Sequence, residues 1–298
     1  MTPNPLQSTD YQLLSREVDG LIEFAIRDGY EACVDRLLRA VPDYFPGLTL
    51  NGNPLMIHFD SWSRDDLAFI IKEYSGFSNA AIHMFLEARI RNHWPALRQE
   101  IIRNMDEEMG ELTRGIPHLE LMRYGYRVEL GLETDGFPLS AITSGFINHM
   151  NSLFCNRDNT YLAGVLLAFE GNAAEEFRMV DRILRHYKEL LGEELRPQSL
   201  TWHYIAGHVL PQGSEGLVDP EVDHGQGMID AIGSSLSGAD LKPIALGFLA
   251  VCFELSVWWE RLASETWQKR IRDNLIQVRR PAPELYANFL FAFSQTVQ

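Results

Sequence analysis

Apolar residues in this chain recur at steps of three and four positions, the spacing that puts them on one face of an α-helix. The pattern is clear between Tyr11 and Val41 and again from Asn159 to Leu191. No stretch alternates apolar and polar residues for long, and the turn signals of β-hairpins are missing. The chain is therefore predicted to be one all-α domain, residues 1–298, with seven to nine helices. The predicted helices cover residues 11–41, 64–74, 79–108, 119–132, 140–154, 159–191, 220–232, 241–263 and 283–297.

The amino-acid composition argues against some classes of binding partner. The 298 residues include 26 Lys and Arg against 41 Asp and Glu, which gives a net charge of −15. So acidic a chain offers no basic groove for a phosphate backbone, and this argues against nucleic-acid and anionic-membrane binding. The longest apolar stretch, Pro243–Phe253, is too short to span a bilayer, and the N-terminus lacks the layout of a signal peptide. Three scattered cysteines without a CxxC pair suit a reducing compartment, so we expect a soluble, cytoplasmic protein.

Three irregular segments interrupt the helices, at residues 43–57, 131–139 and 196–219. The third is the longest, and a long loop in a compact domain is usually a lid or a binding loop. His203 and His208 lie in it, and spacing alone favours ordinary surface or lid residues at both positions.

A first candidate site lies where one predicted helix ends and the next begins. Glu107 and Glu108 end the first, and His118 begins the second after a short turn. In an antiparallel helix pair, a carboxylate and an imidazole so placed can face one interior point, and iron accepts both ligand types. The alternative is that the two glutamates are solvated helix-end charges and that His118 is a first-turn surface residue.

A second candidate, Glu170, follows an apolar run. It shares a helical stripe with Ala163, Leu166 and Leu167, so its side chain is directed inward. A carboxylate buried there needs a charged or metal partner. The alternative is that Glu170 marks the edge of the core and reaches water.

A third candidate is the helix predicted from Pro220, with Asp219 as its N-cap. Glu221, His224 and Met228 share one face at steps of three and four, so His224 lies on an apolar stripe one turn from an acid. A histidine there is either a metal ligand or an ordinary core residue. Nucleophile-elbow, Walker and dinucleotide-binding motifs are missing from the sequence.

In order, these segments resemble the haem-oxygenase-like di-iron oxidases. The most specific match is 104–132, with Asn-x-x-x-Glu, a turn, His-x-Glu-Leu and a closing Leu-Gly-Leu. The resemblance covers about 75–265 and implies a haem-oxygenase-like helical bundle, with residues 1–74 as an N-terminal helical extension. It also implies that Glu108, His118 and Glu170 are iron ligands, with Glu170 as the bridging or second carboxylate.

The last helix departs from the family pattern His-x-x-x-Asp-x-x-His. One register makes Glu221 and His224 ligands and puts Leu217 at the first histidine. A rival register makes Asp223 the aspartate, with Asp219 and Gln226 at the histidine positions. We prefer the first register because it keeps His224 on the interior face. His208 could supply the missing histidine if 210–218 is an insertion within the motif. Three more carboxylates could add a ligand: Glu87, Glu107 and Glu111.

The resemblance implies an oxidase with two ferrous ions per chain and O₂ as co-substrate. The expected substrate is a small aliphatic amino acid such as isoleucine or valine, with its carboxylate paired to an arginine. Hydrogen abstraction would lead to desaturation. The length and the altered last helix look most like family members that go on to close an azetidine ring. An external electron donor and a homodimer are compatible with this reading. The alternatives are a metal-independent, TenA-like hydrolase or oxidase and a non-catalytic helical interaction protein.

Overall fold

Helices make up most of the computed structural model, which describes residues 18–111, 113–210, 220–236 and 240–277. No strand occurs in these ranges, and the all-α prediction is confirmed. The predicted helix 283–297 lies outside the described residues. The helices are α1 (18–25), α2 (Tyr30–Tyr44), α3 (Pro54–Ile57), α4 (Arg64–Arg91), α5 (Pro95–Glu108), α6 (His118–Glu129), α7 (Ala141–Phe154), α8 (Asn159–Leu190), α9 (Leu200–Ala206), α10 (Pro220–Ser235) and α11 (Lys242–Gln277).

The predicted helix at 11–41 is two helices in the described part of the chain. Gly29 has φ of 95°, a left-handed conformation that separates α1 from α2. The predicted stop before Pro42 is wrong, because α2 continues through Pro42 to Tyr44. A proline removes one backbone hydrogen bond, and a position so near the end of a helix tolerates that loss.

The boundary between α4 and α5 also differs from the prediction. No break follows Tyr74, and α4 runs on through Gly76, against which the side chain of Leu139 packs. The break comes instead at Asn92, three residues before Pro95, which opens α5 at a position where its missing N–H costs nothing. The Asn92 side chain accepts a hydrogen bond from the backbone N–H of Trp94 at 2.8 Å.

Helices α8 and α11 pack through their backbones at the centre of the fold. A Cβ at Gly164 would lie 2.0 Å from the carbonyl oxygen of Ile244, and one at Gly247 would lie 2.2 Å from that of Tyr161. Only glycine permits so close an approach. The pair therefore fixes the position of α8, which carries Glu170.

Aromatic side chains fill the core between α4, α7 and α11. Trp258 stacks on Phe146 with ring centroids 4.7 Å apart, and its indole N–H donates to the Thr143 hydroxyl at 3.1 Å. Trp259 is 1 % exposed and stacks on Tyr74. Both tryptophans are packing residues of this core.

Within the described ranges, one stretch is long and apolar enough to cross a membrane, residues Lys242–Arg272 of α11. Of its most apolar window, 61% is buried against the rest of the protein, as in the core helix of a soluble bundle. This is consistent with the predicted soluble protein, and the cytoplasmic location stays a prediction.

Candidate metal centre

The turn between α5 and α6 brings a carboxylate to an imidazole. Gly110 has φ of 106°, and a Cβ there would lie 2.7 Å from the backbone of Ile116, so the turn needs glycine. His118 Nδ1 lies 3.4 Å from Glu108 Oε1. The His118 side chain is buried, so the alternative of a first-turn surface residue is wrong.

Helix α9 lies in the segment predicted to be irregular, and α6 holds it in place. The Glu129 carboxylate accepts the backbone N–H groups of Leu200 at 2.7 Å and Thr201 at 2.9 Å, which caps the start of α9. Gly125 lets the two helices touch, because a Cβ there would lie 2.9 Å from the Thr201 nitrogen. The 196–219 segment is therefore not one loop, and its residues 211–219 lie outside the described chain.

His208 follows α9 and is buried, so its interpretation as an ordinary surface or lid residue is wrong. Its ring stacks on Phe177 with centroids 3.7 Å apart and planes 7° apart. Nδ1 of His208 lies 3.7 Å from Glu108 Oε1 and 2.6 Å from Glu221 Oε1. Glu108, His118 and His208 thus form one group of possible metal ligands, with ligand atoms within 4.8 Å of one another.

Glu170, Glu221 and His224 form a second such group, and all three are buried. His224 Nδ1 lies 3.5 Å from Glu221 Oε2 and 3.7 Å from Glu170 Oε2. Glu170 points inward from α8, so the alternative that it reaches water is wrong. The oxygens of Glu221 face both groups, one toward His208 and the other toward His224.

The charges of these groups are strongly coupled. Burial and the charge of Glu221 raise the pKa of Glu170 to about 8. Burial alone would raise the pKa of Glu221, but hydrogen bonds to His208 and His224 lower it to about 2. Burial would lower the pKa of His224, but its bonds and the charges around it raise that pKa to about 10. In the metal-free protein Glu170 is therefore mostly protonated at neutral pH.

The residues fit a pair of iron ions. Glu170 Oε2 is buried without a hydrogen-bond partner among the described residues, and an unpaired buried carboxylate oxygen is costly. No lysine or arginine lies within salt-bridge distance of Glu108, Glu170 or Glu221 in the described chain. All three histidines turn Nδ1 toward these carboxylates. A divalent cation that accepts oxygen and nitrogen ligands, such as ferrous iron, would bind both the carboxylate oxygens and the imidazole nitrogens.

The other candidate ligands lie elsewhere. Asp223 is exposed and bonds to Arg103 at 2.9 Å, and Gln226 is also exposed, which contradicts the rival register. Asp219 and Leu217 lie outside the described residues. Glu111 is exposed, and Glu87 pairs with Arg91 at 3.0 Å. None of the described four belongs to either group.

Glu107 contacts the ring nitrogen of His224 that does not face Glu170 and Glu221. Its Oε2 lies 2.6 Å from His224 Nε2, and its Oε1 accepts a hydrogen bond from Arg103 at 2.9 Å. Arg103 is itself held by Glu100. A carboxylate bonded to the far nitrogen of a histidine fixes the ring so that the other nitrogen can bind a metal. Glu107 is thus placed to orient His224 and not to bind metal itself.

We expect Glu107→Ala to weaken iron binding by the second group about tenfold to a hundredfold, the usual effect of losing such a partner. Asp223→Asn is the matched control, because Asp223 bonds to the same arginine without touching His224. Anaerobic titration with ferrous iron measures both affinities. Equal weakening in the two variants would show that only the Arg103 network matters.

We expect iron affinity to rise with pH between about 6 and 8. In the metal-free protein the pKa of Glu170 is about 8 and that of His224 about 10, so protons must leave before a metal binds. For each proton displaced, affinity falls about tenfold per pH unit of acidification. The slope should lessen above pH 8, where Glu170 is already ionised. Titrations at several pH values check this, and an affinity independent of pH would contradict it.

A cavity of about 90 Å³ adjoins the two groups. Its walls are mostly apolar, and the two ligand groups contribute polar side chains to it, among them Glu108, Glu170 and His208. No lysine or arginine lines it among the described residues, so this part of the chain offers no arginine partner for a substrate carboxylate. Glu176 does line it, a residue that sequence reasoning missed. The available signal was its helical stripe with Phe169 and Ala173.

The comparisons with known proteins agree with this fold. A CADD-like protein of unknown function from Nostoc punctiforme PCC 73102 has a crystal structure at 1.35 Å that matches with a TM-score of 0.67 and 23% identity, over 85% of this chain and 97% of that one. A second crystal structure of the same protein, at 2.00 Å, matches with a TM-score of 0.67 and 24% identity, over 84% of this chain and 99% of that one. No curated protein matches significantly.

The fold and the two ligand groups define an all-α helical protein with a candidate two-metal centre, similar in fold to the Nostoc protein. A family profile described as "Domain of Unknown Function with solved-structure structure (DUF3865)" matches residues 31–265. The chain belongs to this family.

Proposed function

We propose that this protein is a non-haem di-iron oxidase that uses O₂ to oxidise a small aliphatic amino acid. The observation that carries the proposal is the convergence of three carboxylates and three imidazoles in two adjoining groups, five of whose six side chains line a cavity. The similarity to a CADD-like structure supports the fold on which such a site could be built. The family resemblance read from the sequence supplies the reaction class.

The proposal assigns roles to the two ligand groups, to the residues that hold their histidines and to the cavity walls. Glu108, His118 and His208 would hold one ferrous ion, and Glu170, Glu221 and His224 the other. The iron pair would supply the electrons and Lewis acidity that O₂ activation needs. The apolar walls would exclude water from the reacting carbon, which suppresses side reactions. Phe177 and Glu107 hold the rings of His208 and His224 in position.

The proposed reaction is desaturation of an isoleucine- or valine-like substrate. Desaturation removes two electrons and two protons from the substrate, whereas reduction of O₂ to two waters takes four of each. An external electron donor would supply the difference. Closing a C–N bond to give an azetidine would remove two more electrons and two more protons, and a second O₂ would take these with two further electrons and two protons from the donor. The azetidine step, the donor, the cytoplasmic location and a homodimer stay predictions.

Anaerobic titration of the full-length protein with ferrous iron, with and without isoleucine, tests the proposal. We expect two irons per chain, or one that rises to two with isoleucine, and then O₂ consumption that depends on the amino acid. Glu170→Ala and His224→Ala should each lose the second iron. His149→Ala is the matched control, because His149 is an exposed histidine beside a carboxylate, Glu254, outside both groups.

No iron binding under any condition would exclude this mechanism. Retained turnover without metal would favour the metal-independent, TenA-like alternative. Neither metal nor turnover would favour a helical interaction protein.

A further inference from the structure

We propose that Glu176 binds the ammonium group of the substrate, so that the cavity recognises its substrate by the amine end and not by the carboxylate. This inference rests on the proposed function, since it concerns the substrate of the same cavity. It replaces the arginine–carboxylate pairing expected from the sequence.

Glu176 is a carboxyl group in the cavity wall that belongs to neither group of possible metal ligands. Its Oε1 accepts a hydrogen bond from the Tyr74 hydroxyl at 3.0 Å. No other hydrogen bond or ion pair reaches it from the described residues. An ionised carboxylate can accept about four hydrogen bonds, so most of its capacity is open to a ligand.

The charge balance of the cavity selects a cation over an anion. Every ionisable side chain in its described walls is a carboxyl group, a histidine or a tyrosine. The segment 211–219, which leads from His208 to α10, also contains no lysine or arginine. Among the described residues and in 211–219, a substrate carboxylate would therefore meet no lysine or arginine. An ammonium group would meet Glu176 in surroundings where few waters screen the attraction.

Binding of an ammonium group would change the charge of Glu176. Desolvation and the charge of Glu221 raise the pKa of Glu176 to about 8, although the bond from Tyr74 lowers it. A carboxyl group with this pKa is mostly neutral at neutral pH, and an ammonium group beside it would stabilise its ionised form. The rest of the cavity wall, which includes Phe77, Ile82 and Phe85, suits a branched alkyl chain.

Three ligands with the same branched alkyl chain test the assignment: isoleucine, 2-methylbutylamine, which lacks the carboxylate, and 3-methylpentanoic acid, which lacks the amine. Calorimetry would measure their binding to the full-length protein under argon, once loaded with ferrous iron and once metal-free. We expect the amine and isoleucine to bind the metal-free protein and the acid not to. Glu176→Gln keeps the shape of the side chain but removes its charge. It should weaken the binding of 2-methylbutylamine about tenfold to a hundredfold.

Glu175→Gln is the matched control, because Glu175 is the preceding carboxylate of α8, does not line the cavity and pairs with Arg178. It should leave all three affinities unchanged. Binding of the acid in preference to the amine, or an amine affinity unaffected by Glu176→Gln, would overturn the assignment. Loss of an iron in Glu176→Gln would also overturn it, because Glu176 would then be a metal ligand. The metal-free series keeps this result separate from the proposed function, which the iron count decides.

Discussion

Glu221→Ala is expected to lower the iron content from two per chain to less than one, a larger loss than any other single ligand should cause. Glu221 places one oxygen 2.6 Å from His208 and the other 3.5 Å from His224, so it is the carboxylate that joins the two groups. Its removal would take an acceptor from both histidines at once. We expect iron affinity to fall by more than the tenfold to hundredfold effect of an outer partner. Anaerobic iron titration with metal analysis measures it.

Asp230→Asn is the control for this variant, because Asp230 is an exposed carboxylate of the same helix that bonds to Gln226. Circular dichroism should show the same helix content in both variants. If Glu221→Ala keeps one tightly bound iron, Glu221 serves a single ion and the two groups load independently.

Gly164→Ala is expected to destabilise the protein by about 2 kcal/mol, although alanine is the better helix former. The added Cβ would lie 2.0 Å from the carbonyl oxygen of Ile244, and backbone atoms cannot turn aside as a side chain can. Helices α8 and α11 would have to separate and would lose packing along their contact. The melting temperature should fall by about 4–8 °C. Thermal unfolding followed by circular dichroism checks it.

Gly145→Ala is the matched control, since Gly145 also lies inside a helix but nothing approaches its Cβ position within 4 Å. That variant should raise the free energy of unfolding by up to about 1 kcal/mol. A similar stabilisation in Gly164→Ala would mean that α8 and α11 can shift apart at little cost.

The sequence predicted those parts of the fold that depend on local signals. Ser140 before α7 and Asp158 before α8 are N-caps, and both helices begin within one residue of the predicted position. The helix boundaries that failed depend on packing. The stop predicted after Tyr74 ignored the neighbour that covers Gly76, the side chain of Leu139.

The candidate site also has parts that local sequence could predict and parts that depend on packing. Glu108 with His118, and Glu221 with His224, lie within one turn or one short loop, so spacing alone could bring each pair together. His208 was the candidate ligand hardest to predict, because it lies thirteen positions before Glu221, beyond one helical turn or one short loop. Its burial depends on α9, which Glu129 of another helix caps.

By itself, then, the sequence determined the all-α class, most of the helices and the short-range pairs of acid and histidine, because helix periodicity, caps and tight turns are local interactions. Only the tertiary structure decided that the pairs from α5, α6, α8 and α10 meet at one cavity with His208. It also decided that this cavity has an acid, Glu176, where an arginine was expected. The physical reason is that burial and charge in a cavity are set by residues far apart in the chain, whose approach depends on contacts such as that of Gly164 with Ile244.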